Sequence, residues 1–439
     1  MRTVKVYPGL AKGTVWVPPS KSLAHRAVIC AALADGESRL TGLHAENLSD
    51  DIRVTIAAMH KLGADIHFDG DELVVRGGRL ALSGDEVWEI DCGESGSTLR
   101  FLIPIVSLLG LPVLLTGHGR LPQRPQTVYQ QIFAEQDLCF MPTPAQNGWL
   151  VRGPLHAGDF HLRGDVSSQF ISGLLFALPL LESDSCLHIE PPFESRSYVQ
   201  LTLAMLRKFG VHAEWLDDYT LRIPGAQFYQ PCQAAVEGDF SQLAFFAVLA
   251  MISAQPEGLQ IMGVDPHSAQ GDRRIIEIIR EMGGDVEELP DGYLIRPAAL
   301  QAAQIDLADC PDLGPVLAVL AAQAEGESRL YNAGRLRIKE SDRIADVETE
   351  LKRCGVVMHS TADEMFITGL SAGEKLPGGV CCQAHNDHRI VMALAVLATA
   401  CQQPLEIVGA EAVNKSYPNF FADLQQNLGI NAEVADELA

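Results

Sequence analysis

The sequence predicts a two-domain α/β protein made of six copies of one helix-and-sheet unit, three per domain, with the central helices buried. Three observations lead there. Long apolar helices open on a small polar or acidic residue at Ser22, Ser97, Ser168, Ser241, Asp312 and Asp387, at spacings of 75, 71, 73, 71 and 75 residues. A second helix closes near Gly63, Asp137, Gly210, Gly283, Gly355 and Gly429, which lie 41, 40, 42, 42, 43 and 42 residues after those starts. Short β-like runs separate the two helices, and a hairpin follows the second. A constant period of this kind is the mark of a repeat architecture.

Each element can be justified in order. In the first copy SLAHRAVICAALA is apolar on nearly every side, as suits a helix surrounded by like helices. SRLTGL reads as a strand, IAAMHKLGADI as an amphipathic helix, and ADIHFDGDELVVRG as two strands about a polar turn. The second copy repeats the plan with STLRFLIPIVSLL, PVLLTG and a worn second helix, IFAEQDLCF. SQFISGLLFALPLL, CLHIE and TLAMLRKFGVHA form the third, ending in the hairpin VHAEWLDDYTLRIPG. SQLAFFAVLAMI, DLGPVLAVLAAQA and DHRIVMALAVLATA open the last three, whose second helices are IIEIIREMGGDV, VETELKRCGVVM and FADLQQNLGINA. One unit cannot cover both faces of its helices, so the units cluster in threes with sheets outside.

Composition narrows the function. The chain has 439 residues, 47% apolar content and a net charge of −23, which argues against a nucleic-acid or anionic-membrane partner. Ten scattered cysteines without a C-x-x-C pair suggest reduced thiols in a cytoplasmic protein. The N-terminus lacks an apolar signal core, and the longest apolar stretch, FLIPIVSLLGLPVLL, is broken by two prolines, so neither secretion nor a membrane span is expected.

The helix mouths carry the chemistry. Lys21, Ser22, His25 and Arg26 crowd the start of the first apolar helix, where the helix dipole favours anions over cations. The later mouths read GESGSTLR, GDVSSQF, EGDFSQL, DCPDLGP and HNDHR, and each alone is an ordinary cap. Together they gain further cations from neighbouring loops: Arg124, Arg196, Arg335, Lys339, Arg343 and Lys415. Arginine suits bidentate contact with carboxylate or phosphate, and lysine supplies a compact charge. Parallel helix N-termini lined with such cations predict a small anionic ligand. His385, Asp387 and His388 offer no further ligand pattern for a metal, and no nucleotide-binding motif is present.

The motifs PSKSLAHRA, GESGSTLR, QRP, GDVSSQF, RIKESDR, NDHR and NKSYP, in order along essentially the whole chain, resemble those of the 5-enolpyruvylshikimate-3-phosphate (EPSP) synthase family. The resemblance implies an inside-out α/β fold with one domain of residues 1–19 and 237–439, another of residues 20–236, and an active site in the cleft between them. It implies transfer of the enolpyruvyl group of phosphoenolpyruvate to the 5-hydroxyl of shikimate 3-phosphate, without metal or organic cofactor, by a cytoplasmic monomer. Lys21, Ser22, Arg26, Ser167, Ser168, Gln169, Ser195, Tyr198, Asp312 and Lys339 would hold shikimate 3-phosphate. Lys21, Gly96, Arg124, Gln169, Arg343, Arg389 and Lys415 would hold phosphoenolpyruvate, and Lys21, Asp312 and Glu340 would be catalytic.

The sequence also departs from the family. Gly93-Glu94-Ser95-Gly96 stands where Gly-Asn-Ala-Gly is common, Phe101 replaces a frequent proline, and Arg335 replaces an asparagine found in some members. Two rival readings are an enolpyruvyl transferase acting on UDP-N-acetylglucosamine and a non-catalytic member of the fold. The first typically has asparagine after its lysine and a cysteine or aspartate in the loop before its arginine, whereas Ser22 follows Lys21 here and GHGRLPQRP has neither.

Overall fold

In a computed structural model, which describes residues 2–436 apart from 79, 85 and 372, every repeat becomes one four-stranded sheet backed by helices. The second repeat shows the plan. Strand Trp88–Asp91 runs parallel to Val113–Thr116, which pairs antiparallel with Gly148–Arg152, and Cys139–Thr143 completes the hairpin. Inward residues such as Ile90, Val113, Leu115 and Val151 are buried and alternate with more exposed neighbours, the period of two expected of a half-covered sheet.

The chain divides into two compact units, Met1–Pro18 with Glu237–Ala439, and Pro19–Val236. Each has its own apolar core. The core helices are Lys21–Leu33, Gly96–Ser107 and Ser168–Ala177 in one unit, and Phe240–Ser253, Gly314–Ala321 and His388–Ala400 in the other. Among the described residues no helix is long and apolar enough to cross a membrane.

Most expected helix starts shift upstream, because the residue read as the opener already lies inside the helix. The caps are Ser20, whose side chain accepts from Leu23 N, Ser95 from Thr98 N, Ser167 from Gln169 N and Asp239 from Ser241 N. Asp387 does cap its helix, accepting from Arg389 N. Asp312 does not open an α-helix but sits in a 3-10 turn, Pro311–Leu313, ahead of Gly314–Ala321. Pro315 then falls in the first turn, where its missing N–H costs nothing.

Two further expectations are corrected. SQFISGLLFALPLL stays α-helical only to Ala177 and tightens into a 3-10 turn over Leu178–Leu180, where Pro179 has no amide to continue the ladder. FADLQQNLGINA does not form a regular amphipathic helix. It gives an α-turn, Phe420–Ala422, and a π-turn, Asp423–Asn427, closed by Leu428 N donating to Asp423 O at 3.1 Å. Tyr417 Oη and Asn427 Nδ2 both donate to the Asp423 carboxylate, at 2.6 and 2.7 Å, and hold the wider turn in place.

The chain changes unit twice, each time between a strand and the helix that follows it. Ala11–Trp16 precedes helix Lys21–Leu33 but pairs parallel with Ala254–Met262 in the other unit's sheet. Gln233–Ala235 precedes helix Phe240–Ser253 yet pairs parallel with Gly36–Thr41. The chain ends meet in one sheet, where Arg2–Val6 lies between Leu405–Val408 and Ala432–Asp436.

Candidate active site

In the unit that includes residues 237–439, a buried ion cluster forms where the three core helices begin. Arg343 opens helix Arg343–Arg353, and its side chain is 1% exposed. Its Nε donates to Asp387 Oδ2 at 2.7 Å, Nη1 to Asp312 Oδ1 at 2.9 Å and Nη2 to Glu340 Oε2 at 2.7 Å. One planar guanidinium thereby fixes three carboxylates, a task its fork of donors suits and a lysine could not perform. Arg389 reaches the same aspartate from the adjacent helix, Nη2 to Asp312 Oδ2 at 2.9 Å, and also donates to Ser241 Oγ at 3.0 Å. Lys339 Nζ lies 3.3 Å from Asp312 Oδ1.

Asp312 is the centre of this cluster and keeps 22% of its side chain accessible. Burial favours its protonated form, but Arg389, Lys339 and Arg343 outweigh that and hold the carboxyl well below the usual range. Burial lowers the Lys339 ammonium, with Asp312 opposing. Lys415 is also buried and donates to Asn386 O at 2.7 Å. Arg335 turns back to the Ala308 carbonyl at 2.5 Å.

The unit of residues 19–236 carries the remaining candidates. Lys21 Nζ pairs with Asp51 Oδ2 at 2.9 Å, which offsets the unfavourable placing of a cation at a helix start. Gln169 is held on both ends of its amide: Oε1 accepts from Arg100 Nη1 at 2.8 Å, and Nε2 donates to Ser97 Oγ at 2.9 Å. Arg100 Nη2 also donates to Pro125 O at 3.0 Å, next to Arg124. Gly96 leaves room for Arg124 itself, since a Cβ at residue 96 would lie 2.5 Å from Arg124 Nη1. The Glu94 carboxylate lies against Gly119, at φ +56°, where any side chain would collide with it.

Ser167 caps its helix, Ser168 and Ser195 are buried, and Ser195 sits at φ +54° before helix Arg196–Lys208. Arg26 is buried and bound within its own unit. Its Nε donates to Thr202 Oγ1 at 2.8 Å, Nη1 to Ser22 O at 2.6 Å and Nη2 to Tyr198 O at 3.0 Å, and its guanidinium carbon stands 5.4 Å from the Phe101 ring centroid. Burial brings it down to about 10. Phe101 is core, packed edge-on to His25 and Phe176.

Sequence reasoning did not single out Asp51, Arg100 or Asp387 as members of these clusters. Asp387 and Asp51 look like ordinary helix-start acids, and only the arrival of Arg343 and Lys21 in three dimensions distinguishes them. Arg100 lies in GESGSTLR, so the motif itself was the available signal. His385 Nε2 is 2.9 Å from Glu350 Oε1, and among the described residues no group of three or more His, Cys, Asp or Glu could hold a metal ion.

A carboxylate held ionised by converging cations, at the helix mouths of a protein of six α/β repeats, defines a class of enzyme that handles small anionic substrates. Residues 8–424 match the family described as EPSP synthase (3-phosphoshikimate 1-carboxyvinyltransferase). The protein of that second name in Clostridium kluyveri is 42% identical over 426 residues, 97% of each chain. Its Clostridium acetobutylicum counterpart is 41% identical over 428 residues, again 97% of each. The chain belongs to the EPSP synthase family. The fold likeness extends to an EPSP synthase of Acinetobacter baumannii, with TM-score 0.79, 24% identity and coverage of 99% of this chain and 100% of that one. The enolpyruvyl transferase NikO of Streptomyces tendae shares it at TM-score 0.80 and 16% identity, over 99% of both chains.

Proposed function

We propose that this chain transfers the enolpyruvyl group of phosphoenolpyruvate to the 5-hydroxyl of shikimate 3-phosphate and releases phosphate, the step of the shikimate pathway that leads toward chorismate and the aromatic amino acids. The observation that carries the reading is Asp312, kept ionised among Arg343, Arg389 and Lys339 with Glu340 on the same guanidinium. It acts in the cytoplasm as a monomer.

Addition requires a base for the 5-hydroxyl and an acid for the methylene carbon; elimination of phosphate then takes a proton back from that carbon. Asp312 takes the hydroxyl proton and Glu340 serves the methylene, while Lys21 stabilises the bridging phosphate oxygen. A carboxylate held so far down is a weak base. Incoming phosphate and carboxylate groups draw Lys339, Arg343 and Arg389 toward themselves, and Asp312 regains basicity as its own cations are shared.

Shikimate 3-phosphate is held by Lys21, Ser22, Ser167, Ser168, Gln169, Ser195, Tyr198, Asp312 and Lys339. Arg26 serves this set through the Ser22 and Tyr198 carbonyls that it fixes. Phosphoenolpyruvate is held by Lys21, Arg124, Gln169, Arg343, Arg389 and Lys415, with Gly96 giving clearance. Phosphate release from phosphoenolpyruvate with shikimate 3-phosphate as acceptor tests the reading. Turnover only with UDP-N-acetylglucosamine would replace it with the sister reaction, and none with either would leave a non-catalytic chain.

A further inference from the structure

One face of helix Arg343–Arg353 is fastened along its length to the segment that precedes the last core helix. Arg343 binds Asp387 at the first turn. One turn on, Asp346 Oδ1 lies 3.4 Å from His385 Nδ1. Another turn further, Glu350 Oε1 lies 2.9 Å from His385 Nε2, and its Oε2 accepts from Gln383 N at 3.1 Å. Positions i, i+3 and i+7 share a helix face, so these contacts form a continuous seam.

The segment held by the seam is unusual. His385 and Asn386 are consecutive non-glycine residues at positive φ, +52° and +54°, a conformation that persists only when its surroundings impose it. Its two following groups are functional in position: the Asn386 carbonyl accepts from Lys415 Nζ at 2.7 Å, and Asp387 holds Arg343 and the Arg389 amide. Glu350 is 1% exposed, so the carboxylate end of its contact with His385 is shielded from solvent.

We propose that His385 is a positioning residue for phosphoenolpyruvate: clamped by Glu350, it fixes the left-handed turn whose Asn386 carbonyl sets Lys415. This rests on the enolpyruvyl-transfer reading. His385 touches neither reacting group, so its loss acts on affinity for one substrate rather than on the chemistry.

His385→Asn separates the clamp from the backbone, because asparagine tolerates positive φ but cannot reach Glu350. The expected result is about a tenfold rise in KM for phosphoenolpyruvate, with kcat and KM for shikimate 3-phosphate changed less than about twofold. Added to Lys415→Ala, it should bring little further loss, since both act through one contact. An unchanged KM for phosphoenolpyruvate, or a parallel loss for both substrates, overturns the proposal. Amide hydrogen exchange over residues 383–389 of the ligand-free protein provides a readout without turnover: faster exchange in His385→Asn supports the clamp, and wild-type exchange overturns it. Absence of turnover in the wild type would sink the enolpyruvyl reading and leave that exchange result to decide the clamp.

Discussion

Asp312 shows how far a single side chain departs from its behaviour in water. Its folded-state pKa lies below the unfolded value of about 3.9, so the unfolded chain binds the proton more readily in the interval between them. The stabilisation from its ion pairs is therefore complete above about pH 4 and is lost as pH falls through the folded value. Asp312→Asn should be less stable than wild type in urea at neutral pH, with the gap closing toward acid; a gap constant from pH 7 to pH 3 would deny the pairing. Turnover should fall at least a hundredfold at every pH, because the amide cannot take the hydroxyl proton. Gly96 makes a different point. The methyl of Gly96→Ala meets the Arg124 guanidinium before any ligand, so the arginine must shift from its place. KM for phosphoenolpyruvate should rise about fivefold to tenfold, on the order of 1 kcal/mol. Steady-state kinetics check this, and an unaltered KM would show that Arg124 has slack.

At the level of elements, the sequence located all six core helices but placed most of their starts a residue or two late. The reason is physical: a serine before an apolar run reads as the opener, but Ser20 and Ser95 cap from two positions earlier and Ser167 from one. The π-turn at Asp423 was not legible, since it depends on Tyr417 and Asn427 meeting one carboxylate. Neither was the polar chain under the Gly96 mouth. Ser95 Oγ accepts from Thr98 N at 3.1 Å and from Thr98 Oγ1 at 2.8 Å; Thr98 meets Thr55 at 2.6 Å, and Thr55 meets His25 Nδ1 at 2.7 Å. Burial, with Lys21 and Arg26 nearby, keeps His25 well below the usual histidine range and hence neutral. Three helices are tied by this chain, and removing its last member breaks a cap and takes one of two partners from the Thr98 hydroxyl. Ser95→Ala should cost about 2 kcal/mol in urea unfolding, the upper part of the range for a lost N-cap. A cost below about 0.5 kcal/mol would mean that water replaces the serine.

For the whole molecule, the repeat count was legible because a period near seventy residues survives in helix patterns, whereas the division at the two crossings came from the resemblance to the EPSP synthase family and not from the strands themselves. Ala11–Trp16 and Gln233–Ala235 are short, and nothing in their composition says which sheet they join. The exchange of strands at the crossings has a testable consequence. Residues 19–236 contain every strand of their three sheets, Gln233–Ala235 included, and their apolar core includes no residue of the other unit. That stretch is long enough to bury a stable core. Expressed alone it should melt cooperatively by circular dichroism, and shortening it to end at residue 231 should lower the melting temperature by uncovering the edge of Gly36–Thr41. Residues 237–439 should behave differently. They lack Arg2–Val6, the central strand between Leu405–Val408 and Ala432–Asp436, and Ala11–Trp16, the partner of Ala254–Met262. Two of their three sheets are incomplete, with unpaired backbone groups beside the core. This fragment should remain unfolded or aggregate alone, and a peptide of residues 1–18 should restore a cooperative transition. Stable folding of 237–439 without the peptide would show that the N-terminal strands only decorate these sheets, and that the crossing of the chain is not what completes the unit.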